Sequence, residues 1–180
     1  MAFDAYLYFP GSKLVRGEVL DSEMNAKFAF KLNSFDFGAE KPTSIGTGTG
    51  GGGSGSTSFN DFTFEKHTDT ASNGLFNALC TGHHFKDAVL ELRRSGGSKS
   101  KSGKTFFRIS FKLVIVSGMT WNGTEGDEML TENLTIKYGA IKTEYWIQTI
   151  EGTMKKPQSG AEAMWSQQLN EAVFSVKEAR

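Results

Sequence analysis

The sequence predicts a mainly β protein, an antiparallel β-barrel or two-sheet sandwich with one short α-helix and a long extended Gly-rich loop. Three observations support this fold class. Apolar and polar residues alternate with a period of two in several segments, which is typical of strands with one dry and one wet face. One segment has the apolar spacing of a helix. Glycine accounts for 21 of the 180 residues and proline for 3.

The alternation locates the strands in chain order. From Ala26 to Leu32 the apolar residues stand at even positions, and after Asn33 they stand at odd positions, as Phe35 and Phe37. A change of parity indicates a bulge or a bend. The further alternating segments are residues 62–64, 90–92, 105–116, 134–138 and 141–147.

Two of these segments carry more detailed expectations. Between residues 134–138 and 141–147 the parity changes at Gly139, so a bulge is expected there. In the segment 105–116, five apolar residues are expected to share one face: Phe107, Ile109, Phe111, Leu113 and Ile115.

The predicted helix spans residues 70–80, with Thr70 or Ser72 as its N-cap and Gly82 at its end. Gly74 inside it costs about 1 kcal/mol relative to alanine, so we expect packing to hold the helix. The predicted loop covers residues 39–58, and its seven glycines lie between residues 46 and 55. A loop this long inside a compact domain is usually functional.

Composition excludes several classes of protein. Lys+Arg is 20 and Asp+Glu is 20, so the formal net charge is zero, unlike that of a strongly cationic nucleic-acid module. The single cysteine rules out a disulfide within the chain. No apolar run approaches the 18 residues of a membrane-spanning helix. We expect a single domain over residues 1–180, made in a cytoplasm without a cleavable signal peptide.

No motif in the chain calls for catalysis. The glycine stretch lacks the following helix that a phosphate loop needs, and residues 102–105 match only the end of a phosphate-loop motif. Cys80, His83 and His84 have no second pair of ligands at the spacing that zinc requires. We therefore expect a protein that is not an enzyme and has no cofactor or metal.

Charge is distributed unevenly around the segment 105–116. Residues 93–108 carry six bases and no acid, and residues 121–136 carry no base and four acids, which are Glu125, Asp127, Glu128 and Glu132. The two groups should lie at opposite ends of a long strand, and opposite charge at the two ends suits head-to-tail association.

Several segments resemble one known family. They are residues 1–7 with Gly17-Glu18, residues 34–38 before the glycine loop, residues 64–66 and 81–85 on either side of the helix, residues 88–97, and residues 130–136 with Tyr145; Trp165 and Asn170 keep a five-residue interval. In this order they resemble the haemolysin-coregulated proteins (Hcp), the inner-tube subunits of bacterial type VI secretion systems. The chain departs from the family pattern at Pro10, Asp36 and Phe37, in the lengthened basic hairpin rich in Ser, Lys and Gly (residues 95–104), and in the tail beyond Asn170.

The resemblance implies a β-barrel structural subunit of hexameric rings that stack into a tube, which is expelled into target cells and carries effectors in its lumen. Its implied partners are further copies of the chain, a contractile sheath, a spike protein and secreted effectors, with no nucleic acid and no membrane insertion. The implied location is the bacterial cytoplasm before firing and the outside of the cell afterwards. Two alternatives stay open: a tail-tube subunit of a related phage-like contractile injection particle, and a soluble β-barrel binding module that uses its basic hairpin.

Two sets of residues are candidates for these roles. The lumen-facing candidates are Lys27, Lys31, Ser34 and Asp36. The candidates for contacts between rings or between subunits are Gly46, Gly48, Gly50, Arg93, Arg94, Lys99, Lys101, Lys104, Glu125, Asp127 and Glu128.

Overall fold

The computed structural model describes residues 3–44, 53–94 and 103–177. The strands of this part of the chain are β1 (Phe3–Tyr8), β2 (Phe30–Leu32), β3 (Ser34–Asp36), β4 (Ala39–Glu40), β5 (Thr43–Ser44), β6 (Gly53–Ser54), β7 (Ser58–Phe59), β8 (Phe62–His67), β9 (His84–Arg94), β10 (Lys104–Asn122), β11 (Thr131–Tyr145), β12 (Ile147–Gln148), β13 (Met154–Lys155) and β14 (Glu162–Ser166). The helices described are α1 (Ser22–Ala26) and α2 (Ser72–Thr81).

The main sheet is antiparallel and curls into a nearly closed barrel, which confirms the predicted fold class. Its strand order is β2-β1-β9-β10-β11-β8-β3, and β14 also pairs with β11. The two outermost strands are consecutive in the chain and are separated by Asn33. Because β2 pairs with β1 while β3 pairs with β8, the bend at Asn33 brings the two edges of the sheet together. The bend predicted from the change of parity is confirmed.

Phenylalanine rings fill the barrel interior. Phe30, Phe62 and Phe111 are fully buried. The ring centroids of Phe62 and Phe111 lie 5.1 Å apart with their planes tilted by 46°, an arrangement that aromatic pairs favour. Burying one such side chain contributes about 1.5–3 kcal/mol. The inward positions of the alternating strands therefore supply the core.

Strand β10 changes its buried face halfway along, which the alternation did not predict. Ile109 and Phe111 are buried as expected, but Val114 and Val116 are buried in place of Leu113 and Ile115. Leu113 has a φ of 53°, in the left-handed region that branched and bulky residues rarely adopt. This one residue turns the following side chains to the other face.

Gly139 lies across from Leu113 and makes room for this turn. A Cβ on Gly139 would lie 3.3 Å from the Cβ of Leu113 and 3.0 Å from Val176. The bulge predicted at Gly139 is wrong, because the pairing of β10 with β11 keeps one register on both sides of it. The register shifts instead between Val116 and Gly118.

Helix α2 agrees with the predicted helix to within two residues. It ends at Gly82, whose φ of 64° is left-handed, as expected of a C-terminal glycine. Neither predicted N-cap residue caps it: Ala71 occupies that position, and the Ser72 hydroxyl accepts a hydrogen bond from the Asp69 amide instead. The buried Gly74 lets α2 approach the backbone at Leu14.

Helix α1 replaces the start of a predicted strand. Residues 26–29 were expected to be extended, but Ala26 ends this helix and Phe28 has a φ of 55°. The Asp21 carboxylate caps the helix by accepting hydrogen bonds from the amides of Glu23 and Met24 at 3.1 and 3.0 Å. The even-numbered apolar residues of this segment alternate by coincidence, because only Phe30 and Leu32 belong to a strand.

Candidate assembly surfaces

A polar face covers one side of the barrel and includes two of the lumen candidates. Ser34 and Asp36 are exposed on β3, on either side of the inward-packed Phe35. They pair across the sheet with Glu65 and Thr63 of β8. Glu65 and Thr63 pair in turn with Asn133 and Thr135 of β11, and these pair with Thr120 and Gly118 of β10. All of these residues line an open depression of about 330 Å³. We define Ser34, Asp36, Thr63, Glu65, Asn133 and Thr135 as the polar face.

The two lysine candidates lie elsewhere. Lys31 is on β2, where its ammonium is 2.7 Å from Asp4, and this hydrogen bond raises the pKa of Lys31. Lys27 is not on a strand, which corrects the prediction. It follows α1 and donates a hydrogen bond of 2.9 Å to the buried Glu91. Lys27 lies outside the strands because α1 extends to Ala26 and β2 begins only at Phe30.

Glu91 is the centre of a buried polar cluster that fastens α1 to the barrel. Its carboxylate accepts hydrogen bonds from Tyr8 at 2.7 Å and from Thr105 at 2.6 Å, in addition to that from Lys27. Burial alone would raise the pKa of Glu91, but the hydrogen bonds from Thr105, Lys27 and Tyr8 together hold it below its usual value. The cluster stays charged near neutral pH and is satisfied within the protein.

One end of the barrel carries two described bases of the predicted basic stretch, of which Lys104 is exposed and Arg94 is half-buried. Arg94 ends β9 and pairs with Lys104 at the start of β10. The Arg94 guanidinium lies 4.5 Å from the ring centroid of Phe106, a cation–π arrangement. Lys104 donates a hydrogen bond of 2.9 Å to the Gly152 carbonyl. Lys99 and Lys101 lie outside the described residues.

Arg93 is not part of this exposed charge, which corrects the prediction. Neighbouring residues of a strand point to opposite faces, so Arg93 turns away from the face of Arg94. Its guanidinium is buried under α1, 2.7 Å from the Glu23 carboxylate, and it also donates to the Gly103 carbonyl. Arg93 therefore holds α1 in place, and its side chain is buried within the subunit.

The opposite end of β10 carries the acids. Glu125, Asp127 and Glu128 are exposed in the turn between β10 and β11. Asp127 shapes this turn by accepting a hydrogen bond of 2.8 Å from the Thr124 amide. The predicted acidic stretch extended to Glu132, but Glu132 is buried, so the exposed acids end at Glu128.

Glu132 belongs to a buried ion pair that the sequence analysis missed. Its carboxylate lies 2.9 Å from the Lys66 ammonium and accepts a hydrogen bond of 3.0 Å from the Ser72 hydroxyl and one of 2.8 Å from the Trp121 indole N–H. Asp69 is a second partner of Lys66, at 2.9 Å. Burial alone would raise the pKa of Glu132, but the hydrogen bonds from Lys66 and Ser72 hold it below its usual value.

A sequence signal for this pair exists. Lys66 has the same parity as Phe62 and Phe64, which face the core from β8. Glu132 has the parity of the buried Leu134 on β11 and pairs directly with Lys66 across the sheet. Opposite charges at core-facing positions of two strands indicate a buried pair once those strands are known to be neighbours.

The glycine segment is only partly described. Gly46, Gly48 and Gly50 lie outside the described residues. The flanking residues form an arm of two short ladders, in which β4 pairs with β7 and β5 pairs with β6. The prediction of one extended loop over residues 39–58 is thus corrected at its two flanks, because backbone groups there pair with each other.

The described residues contain no group of three or more His, Cys, Asp or Glu side chains that could hold a metal ion. Cys80 is exposed on α2. Among the residues that the structure covers, no helix has both the length and the apolar character needed to span a bilayer.

Comparison with known proteins gives consistent matches. The sequence profile of the family described as "Type VI secretion system effector, Hcp" matches residues 6–145. Protein hcp1 of Pseudomonas aeruginosa is 30% identical over 92 residues, which are 51% of this chain and 55% of that protein. The chain thus spans about half the length of that curated relative.

Solved structures match over nearly the whole chain. A structure described as a type six secretion system protein superposes with a TM-score of 0.81 at 26% identity, over 94% of this chain and 99% of the other. Hcp1 from Salmonella typhimurium superposes with a TM-score of 0.70 at 21% identity, over 96% and 100% of the two chains.

Proposed function

The chain belongs to the Hcp family of the type VI secretion system, as its sequence resemblance predicted, and on this premise we propose that it is a structural subunit of the secretion tube. Six copies form a ring, and rings stack into the tube. The observation that carries this proposal is the agreement in fold over 94% of the chain with a type VI secretion protein. The family consists of secreted tube proteins and not of enzymes, in agreement with the sequence prediction.

The partners follow from this proposal. They are further copies of the chain, the contractile sheath around the tube, the spike at its tip and the effectors inside it. The subunit is held in the bacterial cytoplasm before firing and is released with the tube. A self-assembling subunit needs surfaces that differ from one another, so that each copy contacts the next through unlike patches. The polar face, the arm and the two charged ends provide such surfaces.

Negative-stain images of the purified protein test this function. We expect rings of uniform diameter with six-fold symmetry, and short stacks of them at higher protein concentration. Single small particles at every concentration would contradict the proposal and would favour a binding module that acts alone.

The polar face is the proposed lining of the lumen. Asp36 and Glu65 lie there among hydroxyl and amide side chains, so this surface would hold cargo by weak polar and charge contacts that release it easily. Asp36→Asn keeps the size of the side chain and removes its charge. We expect this variant to form rings as the parent does and to change the amount of effector that copurifies with them. The control is Asp87→Asn, because Asp87 lies on β9, away from the polar face, and pairs with Lys112 at 2.9 Å. Equal retention by both variants would remove Asp36 from the lumen.

A further inference from the structure

Apolar side chains are exposed beside the acidic turn. Phe76 of α2 and Trp121 of β10 are 45% and 38% exposed, and their ring centroids are 5.2 Å apart in an edge-to-face arrangement. Leu130, 44% exposed, precedes β11 and covers Gly123 so closely that a Cβ there would overlap its side chain. We call Phe76, Trp121 and Leu130 the aromatic patch. Phe76 contacts Trp121, and Leu130 lies against Gly123, two residues after Trp121 in the chain, so the three exposed side chains share one region of the surface. Exposed apolar side chains grouped in this way are typical of interaction sites.

The side chain of Trp121 is fixed by a hydrogen bond and by a ring contact. Its indole N–H donates to Glu132, and Glu132 is itself fixed by the buried Lys66 and by Ser72. The ring of Phe76 also contacts the ring of Trp121, edge to face. An aromatic side chain that is already fixed loses little conformational entropy when a partner covers it, which favours its use as a binding anchor.

The charge around the aromatic patch defines the partner. Glu125, Asp127 and Glu128 follow Trp121 in the turn, and all three are exposed. A fitting partner therefore presents apolar surface with positive charge around it. An acidic or purely polar partner would leave these carboxylates facing like charge or leave the apolar rings in water.

The other end of the same barrel has this chemistry. Phe3 is 50% exposed and pairs with Arg94 across β1 and β9. The ring of Phe3 meets the ring of Phe106 at a centroid distance of 6.0 Å, and the Arg94 guanidinium lies over Phe106. Lys104 is exposed next to them. We call Phe3, Arg94, Lys104 and Phe106 the basic end.

We propose that the aromatic patch is the docking surface for the basic end of a second copy of the chain, and that Trp121 and Phe76 anchor this contact. The proposal rests on the proposed function, because it assigns the contact to stacking between rings. The patch and the basic end lie at opposite ends of β10. Each copy can therefore dock its basic end on one neighbour and receive the basic end of another neighbour on its patch, so the contact repeats along the stack. Like ends repel each other, which sets the polarity of the stack.

An apolar anchor changes the expected response to salt. At 1 M salt the Debye length falls to about 3 Å, and attraction between the exposed charges is largely screened. Burial of apolar surface is not screened in this way. Stacking of rings should therefore weaken in 1 M salt without disappearing. A variant that lacks an apolar side chain of the patch should lose most of the stacking that the parent retains at 1 M salt.

The experiment measures ring mass and end-to-end association by sedimentation, with images of the same samples. The patch variants are Phe76→Asn and Leu130→Asn. The matched control is Phe28→Asn, because Phe28 is 42% exposed, lies outside the patch and tolerates asparagine at its positive φ. We expect all variants to keep the parent's ring mass. The patch variants should stack at least about ten-fold more weakly, as expected for loss of an anchor residue, while the control stacks like the parent.

Reversing charges tests the pairing of the two ends. Glu125→Lys with Glu128→Lys should weaken stacking, and so should Arg94→Glu with Lys104→Glu. All four changes in one chain should restore it. Stacking by the patch variants equal to that of the parent overturns the proposal. So does a loss of ring mass confined to the patch variants, because the patch would then lie between neighbours in one ring.

A parent that forms no rings contradicts the proposed function, and cross-linking then decides this inference separately. Cys80, the one cysteine of the chain, lies four residues after Phe76 on α2. With Lys104→Cys added, a bifunctional maleimide yields a ladder of linked chains if the basic end docks at the patch. A chain with Cys80 alone yields dimers at most. Absence of the ladder, or a ladder unchanged by Phe76→Asn, overturns the proposal.

Discussion

At the scale of single residues, buried charges attach the helices to the barrel. Lys66 and Glu132 link strands β8 and β11 to the start of α2 through Ser72, and Arg93 and Glu91 fix α1. A buried pair adds little stability over an apolar pair of equal size, but removing one partner is costly because the other charge stays buried. These residues therefore position the surfaces of the molecule more than they stabilise it.

Glu132→Gln tests this view. The change leaves Lys66 buried with Asp69 as its remaining carboxylate partner. We expect a loss of about 3 kcal/mol in the free energy of unfolding, near the lower end of the range for a broken buried pair. Urea unfolding at pH 7 measures it. The control is Glu128→Gln, an exposed acid of the same turn, which should change stability by less than about 0.5 kcal/mol.

The same variant should respond differently to acid. The pKa of Glu132 in the folded protein lies below its usual value. Its contribution to stability is therefore complete above that usual value, about 4.3, and is lost as the pH falls through the lowered pKa. Between pH 5 and pH 3 the parent should lose more stability than Glu132→Gln does. Equal losses would show that Glu132 does not carry this dependence.

At the scale of elements, the position of α2 depends on close backbone contact. Gly74→Ala would favour the helix by about 1 kcal/mol on intrinsic propensity. Its Cβ would overlap the Leu14 carbonyl oxygen, which belongs to the backbone and cannot easily move. Overpacking of this kind costs about 1–3 kcal/mol or more, so we expect a net loss of stability. Asn77→Ala, at an exposed position of the same helix, should gain a few tenths of a kcal/mol. A stabilised Gly74→Ala variant would mean that α2 sits further from Leu14.

The arm is expected to serve assembly and not the fold. Because Ser44 pairs with Gly53, residues 45–52 can be replaced by Asn-Gly, which suits a two-residue hairpin turn. We expect the barrel to keep its stability and rings to form, while stacks become shorter. Thermal unfolding and electron microscopy measure the two effects. Stacks as long as those of the parent would mean that the glycine segment is merely tolerated.

Local patterns in the sequence predicted the elements whose structure is decided locally. The long alternating strands, α2 with Gly82 at its end, and the bend at Asn33 all follow from periodicity and turn chemistry. Helix α1 was missed because five residues are too few to show a helical period. The turn at Leu113 was missed because leucine carries no signal for a positive φ.

Burial of charged residues depends on contacts between distant parts of the chain. Arg93 and Glu132 stand in stretches of exposed charge and yet are buried, because α1 covers the first and Lys66 and Ser72 surround the second. The acids at 125–128 and the base Lys104 were located correctly, since turns and strand ends are exposed wherever the strands are placed. The exposure of the Phe76 and Trp121 side chains could not be predicted from the alternation of apolar and polar residues, because it depends on how α2 packs against β10.

At the scale of the whole molecule, the barrel presents four unlike surfaces to its surroundings. The polar face, the arm, the aromatic patch and the basic end differ in chemistry, which suits the proposed subunit that contacts copies of itself on several sides. The proposal that joins these assignments is therefore self-assembly of the chain into a closed ring.

The most direct measurement of that claim is the mass of the native particle by analytical ultracentrifugation, at tens of micromolar protein in dilute buffer. We expect a particle of about six chains that keeps this mass on moderate dilution, because a closed ring saturates its lateral contacts. A single-chain mass over the whole concentration range would contradict it.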